Sequence, residues 1–367
     1  MRTNWSIACF QRQHCHMAHN GFGAKRITVE LTNVCNLHCS YCLRDEDALY
    51  HTPANFLSPD LLQKIIAEAR ESIGITAVVF TGGEPTLHPG FSRILEVSEA
   101  QDVKVSFVTN GWHFEKIWPT VLAHQQTITH IGFSLDGATA ESHDAWRGAG
   151  SFVRLVRAFS RCFVAKIPFV IKVGIRRDTI PNLEQIALFA ARMGASALNF
   201  SHIMPTSNEV EAASALTYDE RAQADQEIAN LSRIFKMNIG IDVGYHNLDP
   251  APPCAALAGV NCNVDYKGRL SLCCNLSGFR GSADELDVVG DLNNEHFATA
   301  YSRLSQIGAR QLEARRERLE AVDKQSVIDP YVSSPCLFCL DTFGKLPWRE
   351  THLPVGVTRT LPVLQSS

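Results

Sequence analysis

Three cysteines lie close together in the first part of the chain and could hold a metal cluster. The segment ELTNVCNLHCSYC places Cys35, Cys39 and Cys42 in a Cys-x3-Cys-x2-Cys spacing. Three thiolates can ligate three irons of a 4Fe-4S cubane, whereas a ferredoxin-type site supplies four cysteines. The fourth iron would then be open to a substrate or cofactor. Two alternatives stay open: a zinc site completed by His38, or buried and inert thiols.

A second group of cysteines occupies the carboxyl-terminal third of the chain, at Cys254, Cys262, Cys273, Cys274, Cys336 and Cys339. Four of these thiolates could hold a second iron–sulfur cluster or a structural zinc. The other three cysteines stand apart. Cys9 and Cys15 alternate with histidines in a pattern that is no standard ligand spacing, and Cys162 is expected in the core.

Composition narrows the class of protein. The net charge of −4, from 34 basic and 38 acidic residues, predicts no nucleic acid partner and no anionic membrane surface. The first residues lack a secretory h-region, and no run of about 18 apolar residues occurs. We therefore expect a cytoplasmic protein whose thiols stay reduced. Metal ligation is then the first explanation for 12 cysteines.

The elements that must position the first cysteines form a repeated strand–helix pattern from about residue 26 to 205. Six β-branched or aromatic runs predict strands: RITVEL, TAVVFTG, KVSFVTN, HIGFSLD, FVIKVGI and ALNFSH. The clearest helix begins at the N-cap Ser58 and Pro59 and ends at Gly74. Six such units in series predict an α/β fold, a partial (β/α)6 barrel with a parallel sheet and reactive groups after the strand ends.

After residue 205 the pattern changes. A linker helix is predicted at about 218–236, followed by a hairpin, NVDYKGRLSLCC, with its turn at Lys267-Gly268. A charged helix at 301–325 is expected to be a solvated face. We divide the chain into an amino-terminal segment (1–25), the barrel with its linker helix (26–240), a small cluster-binding domain (241–345) and a tail (346–367).

The strand ends resemble, in order, the motifs of the radical S-adenosylmethionine (SAM) superfamily. CNLHCSYC looks like its Cys-x3-Cys-x-aromatic-Cys signature, and TGGEP looks like its Gly-Gly-Glu-Pro turn. TNG, SLDG and ESHDAWRGAGSF follow at the next strand ends. The resemblance implies a SAM-binding 4Fe-4S cluster on Cys35, Cys39 and Cys42. It also implies SAM contacts from eight residues: Tyr41 at the adenine, Gly82, Gly83 and Glu84 at the amino group, Asn110, Ser134 and Asp136 near the ribose and active site, and Arg147 at the carboxylate.

The same resemblance implies a reaction. An electron from a partner such as flavodoxin or ferredoxin would reduce the cluster, which would cleave SAM to methionine and a 5′-deoxyadenosyl radical. That radical would remove hydrogen from a substrate, while the protein supplies binding and orientation. No catalytic acid or base is assigned by the sequence.

The carboxyl-terminal cysteines resemble the SPASM and twitch extensions of that superfamily. Their Cys-x(9–15)-Gly-x4-Cys hairpin is matched by Cys254, Gly268 and Cys273. The resemblance implies one auxiliary 4Fe-4S cluster, as in the shorter twitch form, on Cys254, Cys273, Cys336 and Cys339. Cys262 and Cys274 are rival ligands.

The substrate is less defined. About 25 residues precede the first predicted strand, so we expect no fused peptide-recognition domain. A small molecule undergoing oxidation, rearrangement or cross-linking is the first hypothesis. The alternatives are a ribosomally made peptide with a separate recognition partner, and a non-catalytic iron–sulfur or zinc protein.

Overall fold

The computed structural model describes residues 25–44, 53–206, 216–245, 254–279, 286–321 and 329–349. Cys9 and Cys15 lie outside the described residues, as do the predicted amino-terminal segment up to residue 24 and most of the predicted tail. No helix within the described ranges is both long and apolar enough to cross a membrane.

A single ten-stranded sheet runs through the structure. Its strands are β1 (Lys25–Glu30), β2 (Ile75–Thr81), β3 (Lys104–Thr109), β4 (Ile128–Leu135), β5 (Phe169–Ile175), β6 (Ala197–His202), β7 (Asn238–Val243), β8 (Asn261–Val264), β9 (Arg269–Ser271) and β10 (Val288–Asp291). Their order in space is β10-β9-β8-β1-β2-β3-β4-β5-β6-β7. Strands β1 to β8 pair in parallel wherever they are neighbours, and β9 and β10 pair antiparallel.

Helices connect the parallel strands. They are α1 (Pro59–Ile73), α2 (Phe91–Ala100), α3 (Phe114–Ala123), α4 (Ala140–Arg147), α5 (Ser151–Val164), α6 (Leu183–Met193), α7 (Tyr218–Ile234), α8 (Phe297–Glu320), α9 (Pro330–Ser333) and α10 (Pro335–Thr342). Short 3-10 turns occur at Pro85–Leu87 and Ile180–Asn182. The strand–helix alternation confirms the predicted α/β fold.

The sheet is longer than the six predicted units. Strand β7 adds a seventh parallel strand after the linker helix, and it crosses the predicted domain boundary at 240/241. The predicted hairpin forms β8 and β9, and β8 pairs in parallel with β1 over Arg26–Val29. The carboxyl-terminal segment therefore extends the same sheet from the edge of β1.

The residues at the two ends of α1 cap the helix as the sequence predicts. The Ser58 side chain accepts a hydrogen bond from the Asp60 amide, and Pro59 occupies the first turn. Gly74 ends the helix in the left-handed region, with φ of 65°. Leu62, Ile65 and Ile66 turn toward the core.

The prediction for the charged helix was correct only in part. Helix α8 starts earlier than predicted, at Phe297, and one of its faces is buried through Phe297, Ala300, Leu304, Gly308 and Arg315. This face packs against α1 and the carboxyl-terminal strands. The dense charge on the other face masked the buried stripe in the sequence.

Two glycines bring the turn after β2 against the segment that leads into Cys35. The Gly83 amide donates to the Thr32 carbonyl at 2.8 Å, and the Glu84 amide donates to the Val34 carbonyl at 2.7 Å. A Cβ on Gly83 would lie 2.1 Å from the Val34 oxygen. Gly82 has φ of +125°, and its Cβ would lie 2.5 Å from the Thr32 oxygen. No side chain fits at either position.

Substitution of Gly83 by Ala is expected to destabilise the protein by about 2 kcal/mol, because the added methyl overlaps backbone that cannot move independently. The free energy of unfolding can be measured by urea denaturation of the cluster-free chain. Gly240→Ala is the matched control, since a Cβ there meets nothing within 4 Å. Equal effects of the two substitutions would contradict the close-contact explanation.

Candidate functional site

The three amino-terminal cysteines lie on one loop after β1, and all are partly buried. The Cys42 amide donates to the Cys39 carbonyl at 2.9 Å, which turns the loop back on itself. Burial raises the pKa of Cys35 to about 12, and the Glu84 carboxylate and the two other thiols act in the same direction. Thiolates in this loop therefore need compensating positive charge, which a bound metal cluster supplies.

The carboxylate of Glu84 ties the ends of β2 and β3 together beside this loop. Its side chain is 2% exposed. The oxygen Oε1 accepts from the Thr86 amide at 3.2 Å, the Thr86 hydroxyl at 2.5 Å and the Thr109 hydroxyl at 2.7 Å. The oxygen Oε2 accepts from the Asn110 amide at 2.7 Å. Burial raises the pKa of Glu84, and these donors oppose that rise. A ligand ammonium at Glu84 would share oxygens that already accept protein hydrogen bonds.

Asn110, which follows β3, reaches the cysteine loop itself. Its Nδ2 lies 3.0 Å from Asn36 Oδ1 and 4.0 Å from Cys35 Sγ. Its Oδ1 accepts from the Trp112 amide at 2.9 Å. The sequence assigned Asn110 to the ribose region, and the structure places its amide against a cysteine sulfur.

Asp136, at the end of β4, is shared by two arginines. It accepts from Arg147 Nε, from Arg176 Nη1 at 2.8 Å and from the Tyr41 hydroxyl at 2.5 Å. Arg147 Nη2 also lies 2.7 Å from the Tyr41 hydroxyl. Burial acts to raise the pKa of Asp136, but the two guanidinium groups hold it at about 2. Three of the predicted SAM contacts therefore form one buried ionic network.

Sequence reasoning missed Arg176. It directly follows β5, is 2% exposed, and its guanidinium carbon lies 4.0 Å from the Trp146 ring centroid. It also bonds Asp178 through Nε at 2.9 Å. The available signal was an Arg-Arg-Asp run at the carboxyl end of a predicted strand, the edge where ligands bind in parallel sheets. Ser134 lies one residue before the end of β4 and is partly buried, beside Lys172 of β5 in the sheet register.

The carboxyl-terminal cysteines meet from separate segments. Backbone amides point at three of their sulfurs: Leu257 at Cys254 (3.4 Å), Asn275 at Cys273 (3.5 Å) and Gly244 at Cys336 (3.5 Å). Cys336 and Cys339 lie on α10. The Cys254 thiol acts on the pKa of each of the three other predicted ligands: Cys273, Cys336 and Cys339.

The two rival ligands differ in position. Cys262 is buried in β8, and burial alone accounts for the rise of its pKa to about 12. Cys274 lies with the group, because it hydrogen-bonds Cys273 and acts on the pKa of Cys336. Cys162 is fully buried on α5, as expected for a core residue. Within the described ranges, no three His, Cys, Asp or Glu side chains are spaced to hold a single metal ion.

Arg315 approaches the second cysteine group from α8. It is 2% exposed, and its Nη2 donates to the Ser333 carbonyl at 3.3 Å. Burial lowers the pKa of Arg315, and nearby acidic groups act to raise it: Tyr245, Cys339, Cys254 and Cys336. A buried guanidinium favours anionic neighbours, so it favours the thiolate forms here.

Arg44 connects the two cysteine-bearing regions. Its Nη2 lies 2.8 Å from Glu30 Oε1, and its Nη1 donates to the Ser277 carbonyl. Its backbone forms an isolated antiparallel bridge with Phe279. Burial acts to lower the pKa of Arg44, but Glu30, Cys274 and Cys42 raise it overall. The loop that ends at Cys42 is thus attached to the segment that follows Cys273.

The chain is similar to known proteins in sequence and in fold. Residues 29–190 match the family model of the radical SAM superfamily. The chain is similar to mycofactocin maturase MftC of Mycobacterium tuberculosis, with 32% identity over 258 residues, and spans 63% of that protein's length. The corresponding protein of Mycobacterium ulcerans is 32% identical over 260 residues, which cover 67% of each chain. An AdoMet-dependent heme synthase of Methanosarcina barkeri is 28% identical over 204 residues, 55% of each chain.

Among solved structures, the fold is similar to Streptococcus suis SuiB bound to precursor peptide SuiA. The TM-score is 0.64 at 12% identity, covering 92% of this chain and 76% of that one.

His143 of α4 generates a pH prediction. It is fully buried, and its Nδ1 accepts from the Asp136 amide at 3.1 Å. Burial is the main cause that lowers its pKa to about 4, and the nearby Arg147 guanidinium acts in the same direction. Between this value and about 6.5 the unfolded chain binds a proton that the folded chain does not, so stability falls as the pH falls.

His143→Asn keeps an acceptor near the Nδ1 position and removes this titration. Between pH 7 and pH 5 we expect the wild type to lose about 2 kcal/mol more unfolding free energy than the variant. Urea denaturation at each pH measures the difference. Parallel pH profiles for the two proteins would contradict the assignment.

Proposed function

Because the chain belongs to the radical SAM superfamily, we propose that it is an enzyme that reductively cleaves SAM and abstracts hydrogen from a biosynthetic substrate. The observation that carries this proposal is the loop of Cys35, Cys39 and Cys42, which lies at the carboxyl ends of β1 to β5 beside Glu84, Asn110 and the Asp136 network. A cytoplasmic location, where thiols stay reduced, belongs to the same proposal.

The three thiols suit a 4Fe-4S cluster with one open iron. They are held on a short loop in a partly buried setting, with the Arg147 guanidinium lowering the pKa of Cys39 against the effect of burial. When bound, the cluster supplies the electron that splits SAM into methionine and a 5′-deoxyadenosyl radical.

The strand-end residues hold and orient SAM in this proposal. Arg147 binds the carboxylate, a role that suits its planar guanidinium. Asp136 and Tyr41 fix the direction of that guanidinium through their hydrogen bonds. Gly82, Gly83 and Glu84 present the turn after β2 to the amino group. Asn110 and Ser134 line the ribose side, with Asn110 also facing the Cys35 sulfur.

Cys39→Ala should abolish SAM cleavage, because the cluster loses one of its three protein ligands. The measurement is formation of 5′-deoxyadenosine and methionine after anaerobic reconstitution and addition of dithionite. Cys162→Ala is the control and should retain both products. A wild-type protein that binds zinc, or that binds iron without cleaving SAM, would instead support the non-catalytic alternative.

The second cysteine group forms an auxiliary 4Fe-4S site in our proposal, on Cys254, Cys273, Cys336 and Cys339. Four ligands from four positions close a cubane. Amide groups directed at three of the sulfurs and the buried Arg315 both favour thiolates there. With no iron left open, this cluster would transfer electrons or support the fold.

Replacing Cys254 and Cys336 with Ala should reduce the iron content from about eight to about four per chain. Iron and labile sulfide are counted after reconstitution. Cys262→Ala is the matched control, because this thiol is buried in β8, and it should keep about eight. A loss of four irons in Cys274→Ala, with about eight retained in Cys273→Ala, would show that Cys274 is a ligand in place of Cys273. Unchanged iron in the double variant would refute the auxiliary cluster.

A ribosomally made peptide is the second candidate substrate. Its support comes from relatives named as maturases and from a fold shared with a protein solved with a precursor peptide. In this alternative a separate recognition partner presents the peptide.

A further inference from the structure

A basic face covers the groove between α3 and α5. It consists of the exposed side chains of Lys116, Arg154, Arg157 and Arg161. Glu115 lies between them and accepts from Arg161 Nε through Oε1 at 2.7 Å, so this pair is neutral and the excess positive charge comes from Lys116, Arg154 and Arg157. This face is therefore locally positive on a chain whose net charge is −4. Such a patch attracts an acidic surface and orients it during approach.

Two partly buried tryptophans lie beneath the arginines. The guanidinium carbon of Arg154 is 4.5 Å from the Trp112 ring centroid, and that of Arg161 is 5.7 Å from the Trp118 ring centroid. These cation–π contacts hold the charges over aromatic surface. A partner that docks on this face would therefore meet both positive charge and flat apolar area.

The basic face is connected directly to the cysteine loop. Leu155 of α5 packs on Gly111, where an added Cβ would lie 2.5 Å from Leu155 Cδ2. The neighbouring Trp112 amide donates to Asn110 Oδ1 at 2.9 Å, and Asn110 Nδ2 lies 4.0 Å from Cys35 Sγ. The backbone from Trp112 to Asn110 and the Asn110 side chain thus lead from the tryptophan under Arg154 to the sulfur of Cys35, a proposed cluster ligand.

We propose that the basic face is the docking site for an acidic one-electron carrier protein, which delivers its electron to the cluster through the Trp112–Asn110 segment. The proposal rests on the proposed cluster at Cys35, Cys39 and Cys42. In the transfer the carrier is oxidised by one electron and the cluster is reduced by one electron. No bond is made or broken and no proton moves.

The test uses a charge-reversed variant, Arg154→Glu with Arg157→Glu, and a bacterial flavodoxin as the carrier. The matched control reverses Arg233 and Lys236, which are exposed at the carboxyl end of α7. The reconstituted holoenzymes are assayed for 5′-deoxyadenosine formation with reduced flavodoxin and, separately, with dithionite. Binding of oxidised flavodoxin is measured by calorimetry without turnover.

We expect the variant to bind flavodoxin about tenfold more weakly or worse at low salt, with a similar loss of flavodoxin-driven rate. The dithionite-driven rate should stay at the wild-type value, and the α7 control should match wild type in every assay. Raising the ionic strength from about 0.05 to about 0.3 M should weaken wild-type binding and narrow the difference, because screening shortens the range of the charges.

Several outcomes would overturn the proposal. One is unchanged flavodoxin binding and rate in the variant. A second is an equal loss with dithionite, since the face would then act on the cluster and not on the carrier. A third is a control variant that loses flavodoxin binding as much as the Arg154→Glu, Arg157→Glu variant, since the loss would then reflect the overall charge of the chain and not this face. If wild type cleaves no SAM with either reductant, the proposed function fails, and the calorimetry still tests the docking site.

Discussion

The close approach of Gly83 to Val34 sets the geometry on which the first cysteine loop depends. Two backbone hydrogen bonds join the turn after β2 to the residues that immediately precede Cys35. Glu84, the next residue in that turn, binds Thr109 and the Asn110 amide at the end of β3. Asn110 then returns to the Cys35 sulfur. The contacts form a closed circuit, so the start of the cysteine loop is held by two neighbouring strands.

Buried charge on the other side of this circuit is balanced within the protein. Asp136 lies between Arg147 and Arg176, and a carboxylate shared by two guanidinium groups stays ionised at any physiological pH. Removing one member of such a network leaves an uncompensated buried charge, which is the costly case for buried ion pairs. The network therefore holds Tyr41 and Arg147 in fixed directions before any ligand arrives.

Features that depend on residues close together in the sequence could be predicted, whereas contacts between residues far apart in the sequence could not. The caps of α1 depend on Ser58, Pro59 and Gly74, which act within a few residues, and the predicted helix formed as expected. The strand-end motifs also sit where the alternating pattern puts them. In contrast, β7 was missed although Ile239, Ile241 and Val243 alternate with polar residues and a glycine, because a run of six residues directly after a long helix is a weak strand signal. The pairing of Asp136 with Arg176 was missed, because the two residues follow different strands and lie 40 residues apart in the sequence.

Pairing across long sequence separations explains the largest difference from expectation. We expected a small cluster-binding extension after the barrel, and the sequence did not show how it is attached: β8 pairs with β1, and Asn263 of β8 lies 2.9 Å from Glu30 of β1. Glu30 also binds Arg44, two residues after Cys42, and Arg44 binds Ser277 beyond Cys273. Both cysteine groups are therefore connected to the neighbouring strands β1 and β8 of one sheet. Because strand register sets their relative position, the spacing between two clusters would be a property of the β1–β8 pairing and not of a flexible linker.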